Sequence, residues 1–195
     1  MSSSRNTVIR SLHDVGAAAW FGGSLMGAVG LNGASQDISD PTERAGVAAS
    51  GWARWSPVAM VAIGVHLLGG TGLVIAHRGR IRNQSGVAAN SVAKAALTVA
   101  ALGSTLYSGV LGAKLATAGH AAADGGTVPG DETPDDIAKA QQQLRVLQWA
   151  TPVLTGALVI LGAQQGEQQR PGERLRGLGR KAARNAAKRS QELLP

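Results

Sequence analysis

Four stretches of this chain contain no Asp, Glu, Lys or Arg: Val15 to Gln36, Trp55 to His77, Ala95 to Ala113 and Val146 to Gly166. Each is close to the roughly 20 residues that an α-helix needs to cross the hydrocarbon of a bilayer, whereas a transmembrane strand needs only about 9 to 11 alternating ones. The pattern predicts an all-α protein, a four-helix transmembrane bundle with spans at about 14–35, 55–77, 92–114 and 146–166. These spans fill a domain over residues 1–166, and residues 167–195 form a basic tail. Only 16% of the 195 residues are charged, against about 25% in an average soluble domain. Aromatic residues make up 3% and there are 27 glycines, a composition that fills a large aqueous core poorly and argues against a soluble enzyme. The chain has no cysteine, which excludes disulfides, thiolate metal sites, c-type haem attachment and cysteine nucleophiles.

Helix signals flank the runs. Asn32 and Gly33 lie near the end of the first, Ser56 and Pro57 read as the start of the second, and Asn90 and Ser91 precede the third. A cleaved signal peptide is the rival reading of the first run. An apolar core of about 20 residues exceeds the usual 7 to 15 of such peptides, and Asn32 is a poor residue before a cleavage point.

Positive charge is retained on the cytoplasmic side of a membrane. Fourteen Lys and Arg fall on one side of the predicted topology: Arg5 and Arg10, then Arg78, Arg80, Arg82 and Lys94, and eight in the tail. The other side carries five, Arg44, Arg54, Lys114, Lys139 and Arg145. A multi-pass protein of the cell (inner or plasma) membrane with both termini cytoplasmic is therefore expected. Trp52, Trp55 and Trp149 then fall at the outer boundary, where indoles favour the headgroup level.

In the first outer connection, Asp40, Pro41 and Glu43 read as N-cap, first-turn proline and N3 acid, so a short interfacial helix is expected from Pro41 toward Gly51. Thr133, Pro134 and Asp136 repeat that logic after a Gly-rich acidic stretch, Asp124 to Asp131. The helix they start, with Ile137, Leu144 and Leu147 on one side, is expected to run straight into the fourth span and to kink at Pro152. In the tail, Arg174, Arg176, Arg180, Lys181, Arg184, Lys188 and Arg189 surround Leu175, Leu178, Ala182 and Ala186 at helical spacing. Such a helix suits the anionic headgroups of the inner leaflet, at about 1 kcal/mol per basic side chain. It has no aromatic residue on which bases would stack, so nucleic acid is not an expected partner.

Small residues at four-residue intervals, Gly23 with Gly27 and Ser104 with Ser108 and Gly112, are expected to pack the spans closely. His66 lies about ten residues from both ends of its span, and an ionisable group at the midplane is a functional candidate by default. It serves either as a neutral imidazole bonded to Ser24, Ser104 or Thr155, or as a metal, haem or proton-relay ligand. His13 and His77 fall at one inner-interface depth on successive spans, as two axial ligands of haem b require, with Arg78 and Arg80 placed to neutralise propionates. The bland alternative is two interfacial histidines near helix ends. His120 and Asp124 offer a weak outer cation pair at most.

The string HDVGAAAWFGG, His13 to Gly23, resembles the H-x6-W-x-G-G signature that opens the first helix of copper-resistance D (CopD) membrane proteins, and more loosely the HemJ-type protoporphyrinogen oxidases. RWSPVAMVAIGVHLLGGTG, from Arg54, resembles the start of a later CopD helix. Tyr107, Gly109 and Lys114 resemble a Y-G-x5-K pattern, with the glycine one position late. The resemblance implies His13 as a haem or copper ligand and Lys114 as an essential cation. The topology read from the charges puts those two at opposite ends of their spans, about 30 Å apart. Two functions follow from the sequence. One is a non-catalytic accessory or structural membrane subunit that packs against other membrane subunits. The other is a haem- or copper-binding membrane protein with a redox or transport role, using His13 with His77, or His66.

Overall fold

A computed structural model describes residues 7–83, 85–117 and 121–168, so the tail cations from Arg170 onward and His120 lie outside the described residues. The elements are α1 (Thr7–Met26), a π turn (Gly27–Leu31), a single α turn α2 (Asn32–Ala34) and a 3-10 turn (Ser35–Asp37). There follow α3 (Pro41–Asn83), α4 (Ser85–Thr117), a two-stranded antiparallel hairpin of β1 (Ala123–Gly125) and β2 (Val128–Pro129), and α5 (Asp135–Gln168). Residues as far as Val159 form one compact unit, and the last turns of α5, from Ile160, belong to a second. Among the described residues, three helices are long and apolar enough to cross a membrane: Pro41–Gly79, Val87–Thr117 and Asp135–Gln164. The first charge-free run is helical from Val15 to Asp37, but through three different helical windings in succession.

The N-cap of α3 is as the sequence predicts. Asp40 Oδ1 accepts from the Thr42 amide at 2.9 Å and from its hydroxyl at 2.7 Å, and Glu43 lies in the first turn, where a carboxylate complements the helix dipole. The interfacial helix and the second span are nevertheless one helix. Pro57, read as a helix start, sits inside it. Proline removes one ladder hydrogen bond, whereas breaking the helix at an apolar depth would strip several backbone groups of partners. The neighbouring Ser56 hydroxyl donates into the same turn, to the Trp52 carbonyl at 2.8 Å. The expected continuity of α5 through the fourth charge-free run holds, with Pro152 inside the helix. Thr133 differs from its expected capping role. Its hydroxyl is turned into the loop, accepting from the Gly130 amide and donating to the Ala122 carbonyl.

The tightest packing joins α1 to α3, antiparallel. A Cβ on Gly16 would stand 2.5 Å from the Ala62 carbonyl oxygen and 2.6 Å from the His66 amide nitrogen, and Gly69 meets the His13 amide in the same way from the other helix. Only glycine admits two backbones at that separation, the close approach that small residues provide between membrane helices. Gly23 and Gly27, expected to meet a helix backbone, instead receive the ring edges of Trp55 and Trp52. Those two indoles are therefore turned inward, whereas Trp149 is 48% exposed. The remaining helices alternate in direction and are joined by hydroxyls and amides: Ser104 to Thr151 at 2.7 Å, Tyr107 to Gln143 at 2.6 Å, and Trp20 Nε1 donating to Thr105 Oγ1 at 3.1 Å. Leu111, Leu115, Ile137 and Ala140 pack the C-terminal end of α4 against the start of α5, with Leu144 and Leu147 against them.

Beside an apolar core that includes Trp20, Leu111, Leu115, Ile137 and Leu158, many polar side chains are buried and many large apolar ones are exposed. Buried positions include His13, Ser24, Asn32, His66, Ser104, Gln141, Thr151 and Thr155, while Val58, Met60, Leu68, Val99, Leu106, Val110, Val153 and Ile160 face outward.

Candidate functional site

Two interior regions hold the groups that could do chemistry. The first is built where α1 crosses α3. Gly16, Gly69 and Gly70 bring the helices together, so His13 and His66, 6% and 2% exposed, lie with ring centres 4.3 Å apart and planes inclined at 41°. His66 Nδ1 donates to the His13 backbone carbonyl at 3.0 Å, which fixes the proton on that nitrogen in the neutral ring and leaves Nε2 to accept from Thr98 Oγ1 at 3.4 Å. His13 Nδ1 donates to Asp14 Oδ1 at 3.0 Å. The Trp20 ring stands edge-on to His66 at 6.2 Å. Asp14 lies within electrostatic range of Arg10 and Lys94, so opposite charges surround the histidine pair.

The second region is in the same unit, toward the end that carries the hairpin. Beyond the crossing, α3 and α4 separate around a cavity of about 340 Å³, lined by Trp20, Trp52 and Trp55, by small residues of α3 and α4, by Leu115, Leu144 and Leu147, and by Asn32, Gln148 and Thr151; among the described residues no charged side chain lines it. One end is closed by a polar latch. Trp52 Nε1 donates to Asn32 Oδ1 at 2.9 Å, and Asn32 Nδ2 donates to Gln148 Oε1 at 2.7 Å, an oxygen that also accepts from Thr127 Oγ1 at 3.4 Å. The hairpin seals it. Gly126 N donates to Ser35 Oγ at 2.9 Å, and the fully buried Gln141 donates Nε2 to the Gly125 carbonyl at 3.0 Å. A Cβ on Gly126 would meet Ala48, so the strand-to-strand turn presses directly on α3.

These placements regroup the residues singled out in the sequence. His66 meets Thr98 rather than Ser24, Ser104 or Thr155. His13 is brought to His66 and not to His77, which lies eight residues beyond Gly69 on α3, about 12 Å further along the axis. Arg78, exposed, and Arg80 follow His77 on that helix. Lys114 ends α4 and bonds the first turn of α5, Nζ to Asp136 Oδ2 at 3.1 Å and to the Asp136 carbonyl at 3.0 Å. Asp124 faces Arg44 at 3.9 Å. Asn32, Gln148 and Thr98 were not foreseen as site residues. The two amides were visible as polar side chains inside charge-free runs, whereas Thr98 is one hydroxyl among many.

Among the described residues no three His, Cys, Asp or Glu side chains converge on a common point. Comparison with family models, with curated proteins and with solved structures found no match to this chain.

Proposed function

We propose that this is a four-span protein of the cell membrane, both termini cytoplasmic, acting as a non-catalytic accessory or structural subunit whose basic tail, residues 167–195, meets anionic headgroups. The observation that carries the reading is the set of large apolar side chains facing outward on helices long enough to span a bilayer. Several interior hydroxyls, amides and imidazoles join helix to helix, as Asn32 to Gln148 and Ser104 to Thr151 do, and others bond backbone carbonyls, as polar groups in a bilayer must, while the outer faces of α3, α4 and α5 offer Val, Leu and Ile to lipid or to neighbouring subunits. The helical winding through Val15 to Asp37 supports a first span, since backbone groups at membrane depth need internal partners.

The absence of cysteine makes orientation directly testable, because each introduced thiol is the only one. Ser39→Cys and Glu132→Cys are expected to react with a membrane-impermeant maleimide on intact cells, and Gly79→Cys and Ser190→Cys only after permeabilisation. Labelling of Gly79→Cys on intact cells would overturn the topology.

The second reading, a haem- or copper-binding protein in the manner of the CopD resemblance, is favoured by one observation. Both buried imidazoles hand Nδ1–H to an oxygen acceptor, His13 to Asp14 and His66 to a carbonyl, the arrangement that orients metal-ligating histidines. Haem between this pair does not fit. Rings trans across a metal at about 2 Å from each nitrogen stand roughly 6 Å apart centre to centre, against 4.3 Å here. A cation held at the ring edges is the form that remains. The detergent-purified protein is then expected to retain copper or iron by elemental analysis and to lose it in His66→Ala; metal-free protein with no Soret band excludes the second reading.

A further inference from the structure

The cavity beside the three tryptophans has a composition that specifies its occupant. Its wall carries three indoles, small side chains, Leu115, Leu144 and Leu147, and neutral hydrogen-bonding groups, with no charge of either sign among the described residues. An ionic ligand or a phospholipid headgroup would find no counter-charge there, and burying one unpaired is costly. The volume, about 340 Å³, is at the small end of ligand sites and suits a single ring system.

The way in is from the lipid. Ala53 and Ser56 of α3 and Gly109, Ala113 and Ala116 of α4 line the cavity and are themselves exposed. They mark a mouth between two helices, and Ser56, Gly109 and Ala113 lie within the charge-free runs. A Cβ added at Gly109 or Gly112 meets nothing within 4 Å, so both lining glycines border open space.

The far end is selective. Gln148 lines the cavity and its Oε1 is taken by Asn32 and Thr127, so what this side chain can still offer an occupant is its Nε2 donor. The occupant must then present an accepting oxygen at that end. An indole-lined wall favours a flat π-system over a saturated chain.

We infer that this cavity binds a neutral, membrane-soluble ring compound bearing a carbonyl or hydroxyl oxygen, of the quinone class, entering between α3 and α4 from the outer half of the bilayer with its oxygen on Gln148. The inference goes beyond the accessory-subunit role, and its entry side rests on the orientation proposed above, which the thiol labelling tests separately.

The test uses the indoles as the probe. In a Trp149→Phe background the remaining tryptophans are Trp20, Trp52 and Trp55, all on the cavity wall. With the full chain in nanodiscs of fixed lipid composition, ubiquinone-1 is expected to quench their emission saturably. Gly112→Leu and, separately, Gly109→Leu project side chains into the open space, and each is expected to weaken the apparent affinity by about tenfold or more, the scale of one lost contact region. Dodecane, equally apolar but without an oxygen, is expected not to displace the quinone. Quenching that rises linearly with quinone in the membrane would overturn the inference, as would an unchanged affinity in both leucine variants. Equal displacement by dodecane would overturn it too and assign the space to an ordinary lipid chain.

Discussion

Gly16→Ala is expected to destabilise the protein by about 2–3 kcal/mol, the upper part of the range for overpacking, because the added methyl meets backbone rather than a side chain that can turn away. The obstructing atoms are the Ala62 carbonyl oxygen and the His66 amide nitrogen, and neither moves without shifting α3. In a chain of this length each kcal/mol corresponds to about 2–4 °C of melting temperature, so thermal unfolding in detergent should fall by about 4–12 °C. Gly112→Ala, where a Cβ meets open space, is the control and is expected within about 0.5 kcal/mol of the parent. The same shift in both variants would mean that the α1–α3 seam is not where the helices are locked. The His13–His66 contact is held by the same crossing, so Gly16→Ala should also perturb any cation bound there.

Asn32→Leu has the second largest expected effect. It removes the acceptor of the Trp52 indole and the donor to Gln148 at once. An unsatisfied buried group costs about 1–3 kcal/mol, yet side-chain hydrogen bonds between membrane helices average only about 0.6 kcal/mol. Asn32 is 3% exposed and its partners are tied to the hairpin, so water cannot readily replace it, and a loss of about 2 kcal/mol is expected. A double-mutant cycle with Trp52→Phe isolates the bond. Losses that add to within about 0.5 kcal/mol would show that the latch contributes nothing beyond its separate side chains.

The sequence carries the helices more clearly than their contacts. Charge-free runs mark where α3, α4 and α5 lie because exclusion of charge is a property of each segment alone. The cap at Asp40 is legible for the same reason, being local. Pro57 misleads, since the rule that proline opens a helix assumes water is available to the groups freed by a break. Trp52 and Trp55 read as boundary anchors by depth, and nothing in their own neighbourhood shows that Gly27 and Gly23 lie opposite to receive them. The π turn at Gly27–Leu31 changes which side of the chain Asn32 faces, and no periodicity count anticipates that. His66 was legible as a site from its depth. His13 was a candidate too, but its pairing with His66 was not legible, because that depends on the crossing point of two helices that glycines at both faces determine.

The glycine seam also bears on how the chain assembles. It joins α1 to α3, which are successive in sequence, and its contacts run from Gly16 with Ala62 to Gly69 with His13. All its parts leave the ribosome before α4 is made. An antiparallel hairpin of neighbouring segments has little loop entropy to overcome and forms early, so the two histidines meet while the rest of the chain is still being synthesised. The aromatic chamber requires Gly112 from α4 and Gln148 from α5, and it is therefore completed last. Any cargo it holds is captured on a preformed wall as the final helix closes, or admitted later through the gap between α3 and α4.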